Sequence, residues 1–124
     1  MANKKNVGYS PEDFKKSYGK YYDEKIVELA PHVQYALEHA PFPAGTLPPF
    51  SEVTYKENEG YTDMETGYSV EADGSIHTAI LTQMPGVTPE MWDWWFGWHG
   101  SQDSRYKLWH PKSHVSAVWE DGGN

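Results

Sequence analysis

All six tryptophans of this 124-residue chain, at positions 92, 94, 95, 98, 109 and 119, fall within 28 consecutive residues. Four of them lie in the run Thr88-Pro89-Glu90-Met91-Trp92-Asp93-Trp94-Trp95-Phe96-Gly97-Trp98-His99-Gly100. Thr88 reads as an N-cap, Pro89 as the first helical residue and Gly100 as a stop, so the spacing predicts a helix over 88–99. Trp95 and His99 are four apart and share a face, with Met91, Trp92 and Trp98 near it. Trp94 points elsewhere, so the helix is aromatic nearly all round, and such a helix is buried or lines a cavity. His99, beside the polar run Ser101-Gln102-Asp103, then sits at the rim of an aromatic-walled pocket. The plainer alternative is a histidine that answers the dipole of the last helical turn, with the tryptophans as core. Gly97 stands mid-helix, where glycine costs about 1 kcal/mol against alanine, so a steric reason such as close approach of a sheet is expected.

The rest of the chain supplies helices first and strands later. Ser10-Pro11-Glu12-Asp13 starts a short helix that runs to about residue 17 or 18 and ends at Gly19. Residues 22–29 read as a second helical stretch, and Pro31 opens a third with Val33, Ala36 and Leu37 on one face. Prolines 41, 43, 48 and 49 make residues 40–49 an extended connector. Strands are expected at 52–56, at 64–71 and 75–83 around the hairpin signal Asp73-Gly74, and at 104–109 and 115–119. Residues 1–9 are expected to be flexible. The order gives an α+β fold with an antiparallel sheet, in a single domain over 1–124. Asp121-Gly122-Gly123-Asn124 is turn chemistry with no strand after it. The chain therefore reads as the N-terminal portion of a longer protein.

The formal net charge of −8 argues against a nucleic-acid binder, and Arg105-Tyr106-Lys107 is too short to be a basic patch. No run approaches the roughly 20 apolar residues of a membrane span, and no secretory signal is visible. With no cysteine, thiolate zinc sites and cysteine nucleophiles are excluded, and a cytoplasmic location is expected. His110 and His114 have the four-residue spacing of a metal pair on a helix, but Pro111 breaks that helix and removes the reason for the rings to converge. Structural roles are favoured for His32, His39 and His77. Asp103, Glu120 and Asp121 are the candidate carboxylates.

The segment Met84-Pro-Gly-Val-Thr-Pro-Glu-Met-Trp-Asp-Trp-Trp-Phe-Gly-Trp-His99, followed by Asp103-Ser-Arg-Tyr-Lys-Leu-Trp-His-Pro-Lys-Ser-His114, resembles the signature region of the diacetylphloroglucinol hydrolase and phloretin hydrolase family. The resemblance implies a Bet v1-like helix-grip fold. It also implies zinc-dependent hydrolysis of the carbon–carbon bond between an acyl group and a phenolic ring. His99 matches the first metal-ligand histidine. Glu120 is the only late glutamate available as a second metal ligand. Met91, Trp95 and Gln102 are the candidate substrate contacts, and no residue is assigned as the proton donor. The expected partners are an aromatic acyl-phenol and either the rest of the protein or a second copy, because family chains are more than twice this length. The alternative is a non-catalytic aromatic-lined ligand module or an interaction fragment.

Overall fold

The computed structural model describes residues 5–120. Within them the chain forms four α-helices, α1 (Pro11–Phe14), α2 (Pro31–His39), α3 (Pro89–His99) and α4 (Asp103–Trp109), and one hairpin, β1 (Gly67–Val70) with β2 (Ile76–Ala79). This is an α+β chain with a two-stranded antiparallel sheet. It divides into two compact units, Met1–Ile26 with Pro85–Asn124, and Val27–Met84. No described helix is long and apolar enough to cross a membrane.

In the second unit the hairpin forms where Asp73-Gly74 predicts it. Gly67 pairs with Ala79, Tyr68 with Thr78, Ser69 with His77 and Val70 with Ile76. The connection is longer than a two-residue turn. The Glu71 N–H donates to Ser75 O at 2.8 Å and the Gly74 N–H to Glu71 O at 2.9 Å, with Gly74 at φ +84°. Asp73 Oδ1 fixes the exit by accepting from the Ser75 N–H and hydroxyl at 2.9 and 2.7 Å. Leu47, Met64 and Ala79 are buried together, with Phe42 packed on them. Phe42 also donates its N–H to Tyr68 O at 2.8 Å, which lays the proline-rich connector along β1. Ser69 is fully buried and donates to Glu71 Oε1 at 2.7 Å. That bond and the Gly45 N–H hold the Glu71 carboxyl below its ordinary range. Helix α2 starts at Pro31 as its sequence requires and buries Ala36, while Leu37 stays exposed.

Three of the expected strands are absent among the described residues. Residues 50–57 are 3₁₀ turns, launched by Pro49, whose carbonyl accepts from the Glu52 N–H at 2.8 Å. Residues 104–109 belong to α4: Arg105, Lys107 and Leu108 are good helix formers, and Tyr106 and Trp109 share a helical face three residues apart. Residues 115–119 have no regular structure. The helix-grip sheet expected over 50–119 is therefore reduced to two described strands.

The helical stretch expected at 22–29 is also not helical. Asp23 Oδ1 takes the Lys25 N–H at 2.8 Å, a local bond that competes with a helix, and Pro31 biases Ala30 to extended backbone. Helix α1 is only four residues long, although Ser10 and Asp13 form the full reciprocal cap. Residues 8 and 9 are tied down: the Lys107 Nζ donates to Gly8 O at 2.9 Å and the Tyr9 hydroxyl to Ser104 O. The Asp121-Gly122-Gly123-Asn124 turn lies outside the described residues.

Gly97 corrects another expectation. A Cβ there would meet nothing within 4 Å, so no close approach explains it. Gly67 is the opposite case, with φ +139° and a Cβ that would sit 2.6 Å from the Phe42 ring. Gly97→Ala should raise stability by up to about 1 kcal/mol. Gly67→Ala should lower it by at least about 1 kcal/mol, because the backbone lies outside the L-residue regions and Phe42 must move. Thermal melts of the two variants check the opposite signs.

Candidate functional site

The site is built on α3 and α4. Thr88 caps α3 by accepting the Met91 N–H at 3.3 Å, and Pro89 occupies the first turn where its missing N–H costs nothing. Gly100 leaves room for Trp119, whose ring would lie 3.3 Å from an added Cβ. The chain then turns into α4 within three residues. Ser101 Oγ donates to the unpaired Trp98 carbonyl at 2.8 Å and accepts from Arg105 Nη1 at 2.8 Å. The Arg105 guanidinium lies 4.6 Å over the Trp98 ring and 5.6 Å from the Tyr18 ring, a cation–π contact on two sides. Its buried Nε has no acceptor among the described residues.

Four rings surround His99, which is only 6% exposed. Trp95 stacks on it with centroids 5.0 Å apart and planes at 10°, and Tyr106 stacks at 5.9 Å. Phe96 and Trp109 meet it edge-on at 5.2 and 5.1 Å. Trp109 also meets His114 at 5.2 Å. Pairs of this kind contribute roughly 0.5–1.5 kcal/mol each beyond area burial. The Nδ1 of His99 lies 2.7 Å from Trp95 O. A carbonyl can only accept, so Nδ1 carries the proton and Nε2 keeps the lone pair.

Of the expected substrate contacts, Trp95 is against His99, while Met91 is exposed and Gln102 is taken up elsewhere. Gln102 Oε1 accepts from the Tyr18 hydroxyl at 2.8 Å and Lys16 Nζ at 3.5 Å. The aromatic side chains close onto the imidazole rather than standing back from it as a cup. Glu120 is exposed. Asp103 pairs with Lys5 at 3.2 Å and accepts the Ala117 N–H at 3.3 Å, and Asp121 lies outside the described residues. His32, His39 and His77 contact Leu81 O, Tyr35 and Glu71 respectively. No group of three or more histidine or carboxylate side chains that could hold a metal is present among the described residues. His99, with its Nδ1 anchored and Nε2 available, fits one position of a metal site, but the described residues do not fit a complete one.

Behind the start of α4 lies a polar cleft of about 490 Å³, lined by Lys5, Tyr9, Asp13, Asp103, Ser104 and Lys107 among others. Burial first, then Tyr18, Asp13 and Tyr22, push the Tyr9 phenol well above its ordinary range. Burial favours a protonated Asp13 carboxyl, but bonds from Ser10 and the charges of Lys16 and Lys107 outweigh it and hold that group low. At the wall, buried Ser104 Oγ takes Lys16 Nζ at 2.7 Å and shares a bond with the Tyr18 hydroxyl at 2.9 Å. Sequence spacing did not single out Tyr106, Trp109 or Ser104, because a strand puts neighbours on alternate faces. The signal that finds them is the helical spacing of Tyr106 and Trp109 behind an acidic first residue.

Residues 47–122 match the family model described as the DAPG hydrolase PhiG domain. The chain belongs to this family. It is 37% identical to the phloretin hydrolase of Eubacterium ramulus over 115 residues, which cover 90% of this chain and 41% of that protein. It is 36% identical over 56 residues to the 2,4-diacetylphloroglucinol hydrolase of Pseudomonas protegens, covering 45% of this chain and 18% of that protein. The chain thus spans about two-fifths of the length of the phloretin hydrolase. The family match takes in all of α3 and α4 with the His99 cage, which places the cage inside the shared part.

Ser104→Ala should destabilise the first unit by about 1–3 kcal/mol, since Lys16 loses a buried acceptor and the Tyr18 hydroxyl loses a buried hydrogen-bond partner. Tyr18→Phe, which leaves Ser104 bonded to Lys16, should cost less. Urea denaturation of the two variants decides the order.

Proposed function

We propose that this chain is the His99-bearing part of a hydrolase that cleaves the carbon–carbon bond between an acyl carbonyl and a phloroglucinol-type ring. The observation that carries the reading is the similarity to phloretin hydrolase along 90% of the chain, with the Trp-rich helix and its terminal histidine inside it. The aromatic content of α3 and α4 supports the substrate class, because the exposed Trp92, Trp94 and Trp109 offer flat apolar surface to a polyphenol. In the reaction water supplies hydroxide to the acyl carbon, giving a carboxylic acid. The ring carbon takes the proton in place of the acyl group.

The metal proposed at His99 is zinc, which when bound polarises a carbonyl and lowers the pKa of a coordinated water. His99 contributes an imidazole whose orientation is fixed by Trp95 O, and its remaining partners come from residues outside the described set or from the exposed Glu120. The Bet v1-like grip and the cytoplasmic location belong to the same proposal for the complete protein. Phe50 and Val118, 82% and 81% exposed, support completion of the fold by further chain or a second copy.

A second reading has one observation in its favour. The described residues assemble no group of three metal donors, which suits an aromatic module that binds a phenol without cleaving it.

The test is made on the full-length protein with phloretin and 2,4-diacetylphloroglucinol. His99→Ala should lower hydrolysis at least a hundredfold and remove stoichiometric zinc, with the phenol still bound. Unchanged zinc and unchanged hydrolysis would overturn the role of His99. Phenol binding without hydrolysis in the wild-type protein would leave the module reading in its place.

A further inference from the structure

We propose that His110 and His114 form a two-histidine site for a divalent transition-metal ion of the zinc type, separate from His99. The sequence gives these two residues a metal-pair spacing and then removes its usual basis by putting Pro111 between them. The structure brings the two rings together by another route. After α4 the chain makes a tight turn in which the Ser113 and His114 N–H groups both donate to His110 O, at 3.0 and 2.9 Å. The two imidazole centroids end 5.8 Å apart, with planes at 51°.

That separation is close to what chelation needs. Two imidazoles bound to one ion at about 2.1 Å, at tetrahedral or cis angles, have ring centres roughly 4.5–5.5 Å apart. His110 is exposed and its side chain makes no hydrogen bond among the described residues, so a small rotation closes the difference.

His114 is held as a ligand has to be held. Its ring lies flat on Tyr106, centroids 3.9 Å apart and planes at 4°, and meets Trp109 edge-on. Its Nδ1 lies 3.2 Å from Tyr106 O. That carbonyl can only accept, so Nδ1 carries the proton and the lone pair is on Nε2. A ligating imidazole with its other nitrogen tied to a main-chain carbonyl is the arrangement that fixes tautomer and direction. Water fills the remaining positions of the ion, and Lys112 in the same turn opposes the positive charge. Both features make the site weaker than a structural zinc centre. The ion would cross-link the turn that leaves α4 and so stabilise the folded chain by mass action.

The test uses the tag-free chain, titrated calorimetrically with Zn²⁺ and with Cu²⁺, the latter the stronger binder for nitrogen ligands. One ion per chain is expected. His110→Ala and His114→Ala should each weaken binding at least tenfold, and His99→Ala should change it less than twofold. Cu²⁺ should broaden the indole resonance of Trp109 before those of the other tryptophans. His110→Ala removes an exposed ring without hydrogen bonds, so its melt in EDTA should match that of the wild-type chain. Wild-type affinity in His110→Ala, or loss of binding in His99→Ala alone, would overturn the proposal.

Discussion

Burying an imidazole leaves its polar nitrogens needing partners, and that requirement organises the first unit around His99. One nitrogen is satisfied within α3 itself, by the carbonyl of Trp95 one turn earlier at 2.7 Å. That bond holds the ring in the plane where Trp95 stacks on it. The remaining surface of the ring has to be covered from outside the helix, and α4 covers it with Tyr106 and Trp109. The sharp turn between the helices follows from that demand. Ser101 and Arg105 satisfy the open carbonyl of Trp98, and Gly100 leaves space for Trp119. The N-terminal segment is fastened to the start of α4 in turn, through Tyr9, Lys16 and Tyr18 on Ser104.

This arrangement bears on function through what it prepares and what it omits. It prepares one imidazole with a fixed tautomer in a wall of flat rings. Among the described residues no group of three or more possible metal donors forms. The zinc proposed at His99 therefore draws its other donors from outside the described residues or from Glu120, and the chain spans about two-fifths of the phloretin hydrolase it resembles.

The parts legible in the sequence are those governed by local chemistry. Thr88-Pro89 and Asp73-Gly74 announce α3 and the hairpin because a cap and a left-handed glycine act within a few residues. The Trp-His run announced both the family and the helix face that carries His99. Residues 104–109 were misread because aromatic and charged residues alternate there as they do in a strand. The contact that decides for helix, Tyr106 and Trp109 on His99, is made across a turn and leaves no mark on local pattern. A strand is expected at 52–56 because Val53, Thr54 and Tyr55 favour strands, while Pro49 and the Glu52 N–H commit residues 50–57 to 3₁₀ turns. The exposed Met91 and the Gln102 bonded to Tyr18 show the limit of reading a site from one helix face. Which side chains a neighbouring element recruits is a tertiary question.

The central claim is that His99 is caged with Nδ1 protonated and Nε2 presenting its lone pair. A long-range ¹H–¹⁵N spectrum of the histidine-labelled chain tests it directly, recorded at about pH 8, above the ordinary imidazole range. The account predicts that His99 appears as the single Nδ1–H tautomer, with an unprotonated Nε2 and ring protons shifted by Trp95 and Trp109. An Nε2–H tautomer, or the averaged pattern of an exposed and freely exchanging histidine, would contradict it.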